Sequence, residues 1–141
     1  MKILESALMH EDTRVGAAKA IGNYASKISP QNIQDIVTKF NNILKHKDVR
    51  SNVFEAMGKF ALISSGDLAQ DIVSQILSIL VRSNTYESIT HAVKTIGKYS
   101  SKIQNQKHIV TKLIAILKNK PDKWAIPNIC LLYTSPSPRD A

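Results

Sequence analysis

The sequence predicts an all-α protein built from one helix pair repeated along the chain. Three observations carry that prediction. The stretch His46–Ala61 (HKDVRSNVFEAMGKFA) has a near twin at His10–Ala25 (HEDTRVGAAKAIGNYA) and a more distant relation at Asn84–Ser100 (NTYESITHAVKTIGKYS). Each is followed, about a dozen residues on, by a second segment with apolar residues at helical spacing. The hydrophobic content of 43% includes only 6% aromatic residues, which suits helices packed through aliphatic side chains and argues against disorder.

Taken in order, the first segment, Met1–His10, aligns through its histidine with Asn41–His46, the end of a second helix, so the chain reads as opening inside a repeat with sequence expected upstream. The first complete unit opens at Asp12, whose carboxylate suits an N-cap. Ala18, Ile21, Ala25 and Ile28 then form an apolar stripe. Ser29-Pro30 marks the turn, with Pro30 as the first residue of the next helix. That helix carries Ile33, Ile36, Val37, Phe40, Ile43 and Leu44, and ends at Lys45-His46, cations suited to a helix C-terminus.

The second unit follows 36 residues on, as the spacing of Gly22 and Gly58 shows. Asp48 is its expected cap, and Val53, Met57, Phe60 and Ala61 its inward stripe. Ser65-Gly66-Asp67 makes the turn, and Ile72, Val73, Ile76, Ile79 and Leu80 the second stripe. The third unit is looser: Gly58 to Gly97 is 39 residues and Leu80 to Leu117 is 37. Val93, Ile96 and Tyr99 face inward there, then Ile109, Val110, Leu113, Ile116 and Leu117. Glu87 and Ile89 stand where Asp48 and Arg50 do, so the acid–arginine pair is lost.

The expected organisation is therefore a partial unit at 1–10, repeats at about 11–46, 47–83 and 84–119, and a partial unit at 120–130 that Pro121-Asp122 opens. The end, residues 131–141 (LLYTSPSPRDA), shows no helical period. It resembles adapter-derived read-through in assembled sequences and is set aside as a disordered or artefactual tail. The alternative is a Ser-Pro linker with a phosphorylation motif at Ser135 or Ser137.

The pattern D-x-R-x-x-A-x-x-A-I-G, present as Asp12, Arg14, Ala17, Ala20, Ile21 and Gly22, resembles the first helix of a HEAT repeat. Asp48, Arg50, Val53, Ala56, Met57 and Gly58 repeat it. The Ala20–Ala25 stretch is also similar to the related armadillo repeat, but two-helix units of 36–39 residues fit HEAT better. The resemblance covers roughly residues 1–120. It implies a right-handed α-solenoid of stacked antiparallel helix pairs, whose units cannot bury their faces alone. It also implies that Asp12, Arg14, Asp48 and Arg50 make contacts along the seam between repeats, and that Gly22, Gly58 and Gly97 let neighbouring helices approach closely. Arrays of this kind scaffold phosphatases, carry nuclear transport cargo, bind microtubules, organise chromosomes and assist ribosome assembly.

Catalytic chemistry finds little support. Cys130 lacks histidine and acid partners at useful spacing. His10 and His46 recur at helix ends, where they suit capping better than metal ligation. His91 and His108 have no Cys or carboxylate at ligand spacing. Gly58-Lys59 and Gly97-Lys98 lack the upstream glycine of a P-loop. The expectation is a non-enzymatic chain with no cofactor and no metal. The lone cysteine and the absence of an Asn-x-Ser/Thr acceptor suit an intracellular compartment, cytoplasmic or nuclear, and no run is apolar enough to span a bilayer.

Two surfaces are candidates for partners. The second helices present aligned rows opposite their apolar stripes: Asp35, Asp71 and His108; Thr38, Ser74 and Thr111; Asn42, Ser78 and Ala115; Lys45, Val81 and Lys118. Small polar groups suit protein or peptide recognition, because little side-chain entropy is lost on binding. The alternative surface is basic. Residues 1–93 hold ten Lys/Arg against nine Asp/Glu, whereas 94–123 hold eight lysines against Asp122 alone. Lys94, Lys98 and Lys102 follow at i, i+4, i+8, with Lys107 and Lys112 beyond. Such a patch suits an acidic protein, a nucleic acid or an anionic surface.

Overall fold

The computed structural model describes residues 2–64, 66–83, 85–99 and 106–134, with the side chains of Tyr99, Gln106, Tyr133 and Thr134 left aside. Among the described residues there is no strand. Eight helices follow in order: α1 (Lys2–Ala7), α2 (Arg14–Asn23), α3 (Pro30–Ile43), α4 (Arg50–Ile63), α5 (Gly66–Arg82), α6 (Tyr86–Tyr99), α7 (Gln106–Lys118) and α8 (Asp122–Thr134). Short 3-10 turns at Ala25–Lys27 and Lys47–Val49 precede α3 and α4. The chain divides into two compact units, Met1–Ile72 and Val73–Ala141, so the boundary falls within α5.

In the first unit α2 packs along α4, and α1 contacts α2. The core holds Ile21, Ile36, Phe40, Phe54, Met57 and Phe60, all fully buried. The Phe40 and Phe60 rings stack with centroids 6.3 Å apart, an offset pairing that adds to the area they bury. The apolar stripe expected on α4 widens: Val49, Phe54 and Ala56 are buried beside Val53, Met57, Phe60 and Ala61. A helix covered on more than one side buries more than a single stripe. In the second unit α6 packs on α8, α7 also contacts α8, and Ile76, Leu80, Ile89 and Leu113 are fully buried.

Local chemistry explains the helix ends. Pro30 opens α3 behind Ser29, whose hydroxyl accepts from the Asn32 amide at 3.4 Å. Gly66 starts α5 at φ +56°, a left-handed conformation that an L side chain adopts only at a cost. Within α8, Pro127 has no amide N–H to donate and crowds the carbonyl four residues back. Asn128, almost fully buried beside it, donates through its side-chain amide to Trp124 O at 2.7 Å.

Three local expectations are corrected. Asp12 and Asp48 do not cap helices: α2 and α4 begin at Arg14 and Arg50, behind Thr13 and Val49, with no side-chain cap at either. Thr13 and Val49 both have helical backbone angles, which carry the turn two residues past the aspartates. The Thr13 hydroxyl donates instead to Ala7 O at 2.7 Å. The end of α3 is closed by Arg50 rather than His46: Nε donates to Leu44 O at 2.8 Å and a terminal nitrogen to Lys45 O at 3.2 Å. Residues 131–134 belong to α8 rather than to a tail, because the helix runs through Thr134. Ser135 and Ser137 lie outside the described residues.

Candidate functional site

The rows on the second helices are solvent-facing in each unit. On α3, Asp35, Thr38 and Asn42 are exposed, as are Lys45 in the turn just past its end and Asp71 on the first half of α5. In the second unit Ser74, Ser78, His108, Thr111, Ala115 and Lys118 are exposed, and Val81 is 59% exposed. The helix period forces this result. Ile33, Ile36, Val37 and Phe40 turn one face of α3 inward, so residues offset by half a turn face out. The Thr38 and Thr111 hydroxyls donate to the carbonyls of Gln34 and Lys107, four residues back, at 3.0 and 2.8 Å. Each keeps its lone pairs for an incoming donor.

Among the described residues, a groove beside these rows occurs in each unit. In the first, α1 and α3 flank a hollow of about 580 Å³ lined by Lys2, Glu5, Asn32, Asp35 and Lys39, among others. Lys39 Nζ lies 3.0 Å from Glu5 Oε1, an ion pair in which Glu5 is largely buried. In the second, α5 and α7 flank a hollow of about 350 Å³ lined by Ser74, Leu77, Ser78, Val81, Lys112, Ala115 and Ile116. Ser74 and Ser78 are thus brought together with Ala115, of the Ser78 row, and Val81, of the Lys45 row. Asp35 joins the α1–α3 hollow, whereas Thr38, Asn42, Thr111 and Lys118 lie on open helix surface and Lys45 in the turn after α3.

The residues of the repeated motif have separate tasks. Arg14 Nε donates to both carboxylate oxygens of Asp48, at 3.0 and 3.2 Å, across 34 residues of chain. Arg50 closes α3, as described above. Asp12 is exposed and precedes α2. Gly22 and Gly58 are buried, whereas Gly97 is half-buried. A methyl built on Gly22 would lie 3.5 Å from Ala56 Cβ, an ordinary contact, so close approach does not demand glycine there.

Lys94, Lys98, Lys107 and Lys112 are exposed, and Lys102 lies outside the described residues. Lys120 differs from them. Its ammonium donates to Val81 O at 2.8 Å and Ser83 O at 2.7 Å, closing the end of α5. Burial lowers its pKa below the ordinary 10.5. Lys123 stands 5.6 Å from the centre of the Trp124 ring. The Glu5–Lys39 pair and the Lys120 contacts do not follow from the apolar period of the helices; the one sequence signal for them is a spacing of 34 and of 37–39 residues, near one repeat length.

No group of three metal-ligating side chains gathers among the described residues, and Cys130 is exposed. None of the helices they form is long and apolar enough to cross a membrane. Comparison with family models, with curated proteins and with solved structures finds no match to this chain.

Proposed function

We propose that the chain is a stretch of HEAT-type α-solenoid, right-handed and built of stacked antiparallel helix pairs, that serves as a non-catalytic scaffold. Protein partners dock on the exposed rows of its second helices. The observation that carries this reading is the recurrence of small polar, solvent-facing residues at one position of α3, α5 and α7, with a groove beside them in each unit. Packing of α2 on α4, and of α6 on α8, supports the stack, because these helices open successive repeats. The Arg14–Asp48 pair joins two units of the repeat and suits a seam contact.

The test replaces Asn42, Lys45 and Ser78 with glutamate together. All three are exposed, so the fold should persist, checked by an unchanged thermal melt. A partner captured by the wild-type chain and identified by mass spectrometry should lose binding to the triple variant. Undiminished binding removes the rows from the site.

A second reading is favoured by the charge of the second unit. Residues 73–141 hold ten Lys/Arg against three Asp/Glu, whereas 1–72 hold nine against eight. A nucleic acid or anionic surface bound there would lose affinity steeply with salt. Reversal of Lys94, Lys98 and Lys102 would flatten the slope by about 0.7–0.9 for each phosphate that is no longer neutralised. An affinity independent of salt removes this reading.

A further inference from the structure

The two grooves differ in charge. The α1–α3 hollow carries its own counter-charges, with Glu5 and Asp35 in the same wall as Lys2 and Lys39. The α5–α7 hollow carries one charge, Lys112, and no carboxylate. Residues 73–82 and 106–118 contain no Asp or Glu, and the nearest acid on α5 is Asp71, one turn before Ser74 and outside the lining. Those two stretches do contain Lys107, Lys112 and Lys118. Lys118 follows Ala115 by three residues, which places it beside the groove on the same exposed face of α7, in the adjoining row with Val81.

The floor and rim are otherwise apolar and small. Leu77 lies at 9% exposure at the base, Ile116 is half-buried, and Val81 stands 59% exposed at one side. Ser74, Ser78 and Ala115 leave room above that floor, because none has a side chain longer than one heavy atom beyond Cβ. An exposed valine above a buried leucine, ringed by small residues, is an apolar contact surface that gains by being removed from water. A lysine in the wall, with no carboxylate among the lining residues, is the complementary feature for an anion.

We infer that the α5–α7 groove binds a segment of a partner protein that combines an aliphatic anchor with flanking Asp or Glu residues. The anchor packs on Leu77, Val81 and Ile116, and the carboxylates meet Lys112 in the wall and Lys118 on the adjoining row. Ser74 and Ser78 supply hydroxyls to the segment's backbone. This inference rests on the scaffold reading above and names the chemistry of its partner. The α1–α3 groove, already internally paired, is not the acidic segment's site.

The experiment pans a random short-peptide display library on the full chain, then titrates the enriched peptide, made synthetically, by fluorescence anisotropy. Enriched peptides should share an aliphatic residue beside two or more carboxylates. Lys112→Glu should weaken binding about tenfold, since it turns an attraction into a repulsion. Val81→Asp should also weaken it, and Lys19→Glu on α2, an exposed position outside the rows, should leave it unchanged. Thermal melts of all three variants should match the wild type, because each site is exposed.

Enriched peptides without an acidic bias, or acidic peptides indifferent to Lys112→Glu and Val81→Asp, overturn the inference. If binding falls instead with Asn42→Glu, the scaffold reading stands and the site moves to α3. No enrichment at all removes both readings. If the chain sediments as a dimer that Val81→Asp dissociates, a second copy occupies the groove and the acidic-segment inference fails.

Discussion

Removing the Arg50 guanidinium tests how the repeated arginine works. In the sequence Arg50 sits two residues behind an expected capping aspartate, Asp48; in the structure it opens α4 and reaches back to the end of α3. Nε donates to Leu44 O at 2.8 Å, and the second bond, to Lys45 O, is longer at 3.2 Å and exposed. A charged donor to a carbonyl contributes about 1.5–3 kcal/mol when buried, and the exposed member of this pair contributes much less. The α3 dipole adds a few tenths. Arg50→Met keeps most of the apolar stem and removes both bonds, so it should cost about 1.5–2 kcal/mol. Arg50→Lys keeps the charge without the fork and should recover about half of that stability. Asp48→Ala, by contrast, removes a pair whose carboxylate is 44% exposed, and should cost under about 1 kcal/mol. Urea unfolding followed by circular dichroism gives all three. An Arg50→Met cost below about 0.5 kcal/mol, or an Asp48→Ala cost exceeding that of Arg50→Met, refutes the assignment of Arg50 as the closure of α3.

Gly22→Ala should leave stability unchanged or raise it by up to about 1 kcal/mol, since the new methyl meets Ala56 at ordinary contact and the helix gains propensity. Gly66→Ala should cost about 1–2 kcal/mol, because the φ of +56° penalises any Cβ; urea midpoints check both. Phe60→Ala should cost about 3–5 kcal/mol, as it empties a fully buried site stacked on Phe40, and the same titration reads it. Burial holds the Lys120 pKa below 10.5, so between the depressed value and 10.5 the unfolded chain binds more protons than the folded one. The contribution of this group therefore rises as pH climbs through that window and is flat below it. The stability difference between wild type and Lys120→Met should grow at alkaline pH; a difference that shrinks there refutes the burial-dominated account.

The second helices were readable because their physics is one-sided. On α3 a clean apolar period places Ile33, Ile36, Val37 and Phe40 inside, and the same period places Asp35, Thr38 and Asn42 outside. The first helices were less readable. α4 buries Phe54 and Ala56 as well as Val53 and Met57, because neighbours cover it on more than one side and a single stripe understates its contact. Capping was misread for a related reason. Asp12 and Asp48 have the right chemistry for an N-cap, but the chain continues in helical turns through Thr13 and Val49, and the Asp48 carboxylate meets Arg14 of the preceding unit. A cap is a local signal, whereas a contact spanning 34 residues requires the register between repeats. The α5–α7 groove was legible only in part: the rows pointed to Ser74 and Ser78, but Lys112 and Ile116 enter it from beside the row on α7. Lys120 is one of the eight lysines between residues 94 and 123, and only the positions of the Val81 and Ser83 carbonyls separate it from the rest.

The central claim is that the second helices carry the partner surface, and backbone amide NMR of the full chain with the panned peptide tests it most directly. The account predicts that titration shifts the amides of Ser74, Ser78, Val81, Lys112 and Ala115 and leaves those of Lys94 and Lys98 on α6 in place. Shifts confined to α6, with the α5–α7 groove silent, would contradict it.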